Sequence, residues 1–280
     1  MRRALPSLVT TLVAALFATL LLSAGPATAS ALGRDPGEGQ VRMLSRTLVG
    51  LWAYDDEGLR HDADPLRVGA LVTDVELGVA PRLTLRAQLP WLVVSTVDAG
   101  GLAQKSGVGD LTLGGQLRLT EEGPVALAAR LDAKLPLSQG PPTVRGRAQD
   151  GGPALGDGQV DLTALALLGG RLPFAGFLDL EVGYRLRTGA ITDAVVGGGR
   201  LGVRALGRRL LVALRFDTVV TLDPAPERHE ALGAGTAALG PWVAVRVVDR
   251  LHLEVGAAWV GRGRNAPGGV ELSWGLWLPF

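Results

Sequence analysis

Cysteine is missing from all 280 residues. That excludes a disulfide framework, a thiolate metal site and lipid attachment through a cysteine. Lysine is nearly missing too: of 28 basic residues, only Lys105 and Lys134 are lysine and the others are arginine. The 27 acidic residues balance them, so there is no basic excess to hold nucleic acid, and no such partner is expected. Aromatic residues make up 5% of the chain. After residue 22, no uninterrupted apolar run approaches the ~20 residues that a membrane-spanning helix needs.

What is present begins with a leader. Arg2 and Arg3 start it, Leu8 to Leu22 is apolar, and Ala27-Thr28-Ala29 supplies small residues for cleavage before Ser30. The expectation is a cleaved signal peptide over 1–29, a short periplasmic segment over 30–40 and one barrel domain over 41–280. Loss of the leader removes two arginines and leaves 26 basic against 27 acidic residues, an almost neutral exported chain. Such a chain is periplasmic, secreted, or an outer-membrane barrel, since helices and closed barrels alone satisfy every backbone group in hydrocarbon.

Alternation of apolar and polar residues argues for the barrel. In the last stretch, Val270, Leu272, Trp274, Leu276, Leu278 and Phe280 form an apolar phase, while Glu271, Ser273, Gly275, Trp277 and Pro279 are mixed. Period two places these sets on opposite faces of a strand. Similar runs recur over Leu83–Val93, Leu111–Leu119, Val125–Leu137, Leu178–Leu186, Leu210–Phe216 and Leu251–Trp259, with weaker ones at about 42–54, 66–80, 157–170, 193–206 and 236–248. The total is about twelve strands (ten to fourteen allowed), an even number as in single-chain bacterial barrels. An all-β, antiparallel, up-and-down transmembrane β-barrel is therefore expected.

Connections alternate in length. Short turns fall at 80–82, 121–124, 169–173, 206–208 and 249–250. Longer polar loops are expected at about 55–66, 96–108, 138–157, 187–193, 222–235 and 261–268. Barrels of this class have short periplasmic turns and long outer loops, which puts both termini in the periplasm of a Gram-negative bacterium. Trp52, Tyr54, Trp91 and Trp259 then lie near the outer interface and Phe174, Phe177 and Phe280 near the inner one.

The phase opposite the apolar one is the candidate lumen lining. It comprises Glu76, Arg86, Arg118, Arg130, Asp132, Lys134, Asp179, Glu181, Arg185, Arg200, Arg204, Arg215, Asp217, Arg246, His252 and Glu254, with Asp74, Gln88, Gln116 and Arg187 beside them. Mixed in sign and rich in arginine, such a lining favours pairing across neighbouring strands.

Catalytic and cofactor signals are weak. Gly197–Gly202 (GGGRLG) matches a dinucleotide fingerprint in letters, but it sits inside an alternating strand and opens no helix. His61 and His229 fall on expected outer loops. Ser273 and His252 fall on neighbouring strands at different heights, which disfavours a hydrolase pair. Asp55, Asp56, Glu57, Asp62 and Asp64 match no calcium-loop spacing and read as a solvated acidic loop; the alternative is a divalent cation bridging lipopolysaccharide. Loop 138–157 either folds into the lumen or extends into solvent. No catalytic residue, cofactor or metal is expected.

Two features carry resemblances. Ser273, Gly275, Leu278 and Phe280 resemble the C-terminal signature that outer-membrane barrels present to their assembly machinery. Ser106–Gly115 (SGVGDLTLGG), flanked by Leu77–Trp91 and Leu131–Gly140, resembles the phenol-degradation MetA-pathway family of outer-membrane barrels and the N-terminal barrels of myxobacterial OmpA-like proteins. That resemblance, spanning about 68–280, implies a transporter or porin-like barrel and brings no catalytic residues. The peptidoglycan-binding domain of OmpA-like chains is not expected here. The functional expectation is a passive, non-enzymatic channel for small solutes or apolar compounds. The alternative is a non-conducting structural or adhesive barrel closed by Arg–carboxylate pairs; a lipid hydrolase ranks third. Expected partners are outer-membrane lipids, lipopolysaccharide and the assembly machinery.

Overall fold

The computed structural model describes residues 31, 33–54, 57–62, 66–98, 101–120, 123–137, 155–156, 158–188, 193–222, 235–264 and 266–280. The leader, His229 and most of loop 138–157 lie outside them. Twelve antiparallel strands close into one barrel: β1 Gly39–Tyr54, β2 Leu66–Ala80, β3 Leu83–Asp98, β4 in two segments (Gly101–Val108 and Leu111–Arg118), β5 Val125–Leu135, β6 Asp161–Arg171, β7 Gly176–Arg187, β8 Ala194–Ala205, β9 Leu210–Thr221, β10 Gly235–Val248, β11 Leu251–Arg264 and β12 Ala266–Pro279. A two-residue bridge, Arg60–His61, pairs with the end of β1.

Each strand pairs with its sequence neighbour, and β12 pairs with β1 along the seam from Gln40↔Pro279 to Tyr54↔Ala266. The amide of Gly39 donates to the Phe280 carbonyl, and the Phe280 amide donates back to Gly39. Closure of β12 on β1 joins the two ends of the sheet, so the wall satisfies its own backbone, with Gly101–Val108 paired to β3 alone among the described residues. The exterior is the apolar phase: Leu85, Leu113, Leu131, Val182, Leu214, Val255 and Trp274 all face outward and are exposed. An apolar surface of this extent belongs in hydrocarbon, not water.

Two expected loops are instead strand. The 96–108 stretch continues the β3–β4 ladder, pairing Trp91↔Val108 through Asp98↔Gly101. Its side chains alternate poorly, so the pattern hid a hairpin held by backbone pairing. Likewise β11 runs to Arg264 and β12 starts at Ala266, so the 261–268 connection is tight rather than long. A register shift between Gly50 and Trp52 pairs Trp52 and Tyr54 with Gly268 and Ala266, where both rings are buried while Leu51 is exposed. There Trp52 packs on Trp259, with the Arg60 guanidinium 4.2 Å from its ring centre. Phe177, placed above in the inner aromatic belt, faces the interior instead and is buried beside Leu211 and Trp242. The phase of β7 carries it inward with Asp179 and Glu181.

The GVGDLTLGG motif acquires a structural meaning. Gly109 and Asp110 interrupt β4, where the Gly109 amide donates to the Pro90 carbonyl at 2.8 Å. Gly114 then lets the Asp132 carboxylate lie against the backbone, because any Cβ there would meet Asp132 Oδ1 at 2.0 Å. The Gly197–Gly202 run lies within β8 and opens no helix.

The β6–β7 turn is strained. Phe174 and Ala175 both have positive φ, 57° and 59°, and the Gly176 amide donates to the Pro173 carbonyl at 3.0 Å. Such a turn suits Asn-Gly, because L-residues with a Cβ are penalised there. Ala175→Gly is expected to raise stability by about 0.5–1 kcal/mol, read from urea unfolding of the refolded barrel.

Candidate functional site

The inward phase of the strands lines a cavity of about 370 Å³. Of the residues expected to line it, Glu76, Arg86, Arg130, Asp179, Glu181, Arg200, Arg204, Arg215, Asp217 and His252 border this space. Asp132 pairs with Arg130 behind it, and Lys134 pairs with Asp161 at 3.0 Å and with Asp110 at 3.7 Å. Arg118 meets Asp35 at 3.7 Å. Arg185 lies in register with Thr163 and Ala194, and Arg246 with His252.

Most of the ion pairs run along the wall, within one strand or between strands one or two apart. Arg86 pairs with Asp74, Arg200 with Asp179, Arg46 with Glu271, and Arg130 with both Asp132 and Glu181. Arg215 reaches Glu271 at 3.6 Å across a wider arc. Toward the end that carries the short turns, the Arg42 guanidinium donates twice to Glu254, at 2.6 and 2.8 Å, and the Trp242 indole N–H donates to the same carboxylate at 2.9 Å. Glu254 is among the most deeply buried side chains.

The pairs differ in which partner is exposed. The side chain of Arg42 is 27% exposed against 1% for Glu254, whereas Glu181 is 37% exposed against 12% for Arg130. Both signs border the space, with eight arginines against the five carboxylates of Asp74, Glu76, Asp179, Glu181 and Asp217 among the described residues. One sector of the lining is aromatic. Trp242 stacks on Trp277 with ring centres 6.1 Å apart, His252 lies 4.9 Å from Trp277, and Arg200 sits 4.8 Å over Trp242.

The segment before β1 lies inside the barrel at the end that carries the short turns. Ala31 is wholly buried among Ala126, Ala128, Leu165, Leu167 and Val196. Gly33 and Arg34 border the cavity. The Arg34 amide donates to Thr84 Oγ1 at 2.8 Å, and its guanidinium donates to Glu76 and Gln40. Gly37 and Glu38 exchange backbone hydrogen bonds with Gly78.

Arg34, Asp35, Arg42, Arg46, Asp110, Asp161, Leu211, Trp242 and Glu271 were not singled out from the sequence as lining residues. For Arg42 and Arg46 the signal existed, since they share one phase of β1 with Gln40 and Leu44. Nothing in the sequence marks the segment around Arg34 as folding inward. Asp193, at the opposite rim, has its carboxylate held below the usual range by hydrogen bonds from the Tyr184 hydroxyl and the Arg187 amide.

No nucleophile and base meet in the lumen among the described residues considered for hydrolysis. Ser273 pairs with Gly256 and His252 with Trp277, so they stand four register positions apart. That is about 13 Å along the strands at ~3.3 Å per residue. No group of three or more potential metal ligands forms among the described residues. The assembly-signature residues Ser273, Gly275 and Leu278 lie on the seam, opposite Arg46, Leu44 and Val41.

The fold is that of an outer-membrane barrel. A crystal structure of an outer-membrane channel from Pseudomonas putida F1 superposes with a TM-score of 0.71 over 92% of this chain and 100% of that one, at 17% identity. The translocator domain of the autotransporter NalP from Neisseria meningitidis superposes with a TM-score of 0.51 over 98% and 96%, at 13% identity. No protein-family model matches the chain, and no curated protein matches its sequence.

Arg42 and Glu254 give a direct test of the lining. Arg42→Met leaves Glu254 as a buried, unpaired carboxylate and should cost about 3–5 kcal/mol in urea unfolding. Adding Glu254→Gln, which still accepts from Trp242, should recover most of the loss.

Proposed function

We propose that this barrel is a passive, non-enzymatic channel of the outer membrane of a Gram-negative bacterium. Its termini and short turns face the periplasm, and small anionic solutes are favoured over cations. The carrying observation is the charge of the lining: among the described residues eight arginines border the space, Arg42, Arg46 and Arg200 among them, against five carboxylates. A solute in the lumen meets fixed charges of both signs with a cationic excess, and in a narrow low-dielectric passage these set selectivity. Eight strands leave room for side chains alone and sixteen an aqueous channel, so twelve strands with a cavity of this size imply small solutes. The similarity of the glycine-rich β4 motif to the MetA-pathway barrels supports a transport role of this kind.

The C-terminal strand is the proposed contact with the assembly machinery, and outer-membrane lipids and lipopolysaccharide are the proposed surroundings. The second reading, a non-conducting structural barrel, draws on the segment around Arg34 that occupies one end of the lumen.

Reversal potentials of the refolded barrel in a planar bilayer under a salt gradient separate the two. Discrete conductance steps with anion preference are expected, and Arg46→Glu should shift the preference toward cations. A fully inserted but silent barrel would favour the structural reading.

A further inference from the structure

From Ala31 and residues 33 to 38 we infer that the chain carries its own gate: the inner mouth of the barrel is a docking site for this amino-terminal segment, which straps across it and releases to open the lumen. This rests on the channel reading above.

The segment is held by a fitted set of contacts, not by chance collapse. Its backbone turns at Gly33 and Gly37, whose φ of 67° and 83° glycine adopts most readily. Asp35 presses its carbonyl so closely on Gly78 that a Cβ there would stand 2.1 Å from the oxygen. Arg34 reaches Glu76 and Gln40, and Asp35 faces Arg118. Under the strap, Thr84 and Gln116 are buried, and Ala31 fills an apolar pocket.

The contacts are also of a kind that lets go. Among the described residues they are a few hydrogen bonds, two ion pairs of partly exposed side chains and one alanine, with no strand ladder beyond Gly37 and Glu38 on Gly78. Such attachments open locally at far lower cost than the barrel wall. Because the strap is joined directly to β1, its effective concentration at the mouth is on the order of millimolar, and it re-docks readily.

Two full-length variants test this. Gly78→Ala places a methyl where the Asp35 carbonyl lies and should expel the strap. Gly33→Cys with Thr84→Cys should lock it: a Cβ on Gly33 would stand 3.8 Å from the Thr84 Cβ, the mean spacing in disulfides, and the chain offers no competing thiol. In planar bilayers, Gly78→Ala should show a larger unit conductance than the parent and fewer closures. The oxidised double variant should stay in the low-conductance state and recover parental behaviour on reduction. Trypsin should cut after Arg34 in Gly78→Ala and spare it in the locked form. Equal conductance in parent, Gly78→Ala and locked protein, with the strap shown by trypsin to be displaced and retained respectively, overturns the gate and leaves the channel intact. Silence of all three forms overturns both.

Discussion

A strand in hydrocarbon has no water to receive its amide and carbonyl groups, and the rest of this structure follows from that constraint. The β1–β12 seam, with fourteen paired positions and a reciprocal hydrogen bond between Gly39 and Phe280, joins the two ends of the sheet. Once the wall is closed, period two forces one set of side chains outward and the other into the lumen. The apolar set has to be the outer one, so the charged set is enclosed. A core of ion pairs is then a consequence of closure, not an independent choice.

Enclosed charges are costly unless paired, and the lumen answers this with bidentate and shared contacts. Arg42 grips Glu254 with two hydrogen bonds while Trp242 satisfies a third, and Glu271 serves both Arg46 and Arg215. Such pairs contribute little net stability compared with apolar packing, but losing one partner is expensive. They therefore fix where each guanidinium sits. Since arginines outnumber carboxylates on the cavity, this fixed arrangement also gives the space its electrostatic character.

The fold was legible in the sequence because period two is long-lived: each strand of about a dozen residues repeats its signal several times. The two loops misjudged there, 96–108 and 261–268, carry Gly, Ala, Ser and Lys with poor alternation, and their pairing rests on backbone hydrogen bonds that leave no side-chain pattern. Phe177 shows a second limit. Position near a strand end suggested a membrane belt, whereas its phase, one residue off, turns it into the lumen beside Trp242. The strap was beyond reach for another reason. Gly33, Arg34, Asp35 and Gly37 read as an ordinary linker, and what docks them is the hollow at Gly78, 41 to 45 residues further along the chain.

The central claim is that the apolar face of these strands meets lipid. Leu131 tests it most directly, lying midway along β5 and 58% exposed on the exterior. Unfolding by urea would be followed for parent and Leu131→Arg barrels refolded into lipid vesicles. An arginine at mid-bilayer depth should cost about 2–4 kcal/mol. A change within about 0.5 kcal/mol, as for a substitution on a water-exposed surface, would contradict the account.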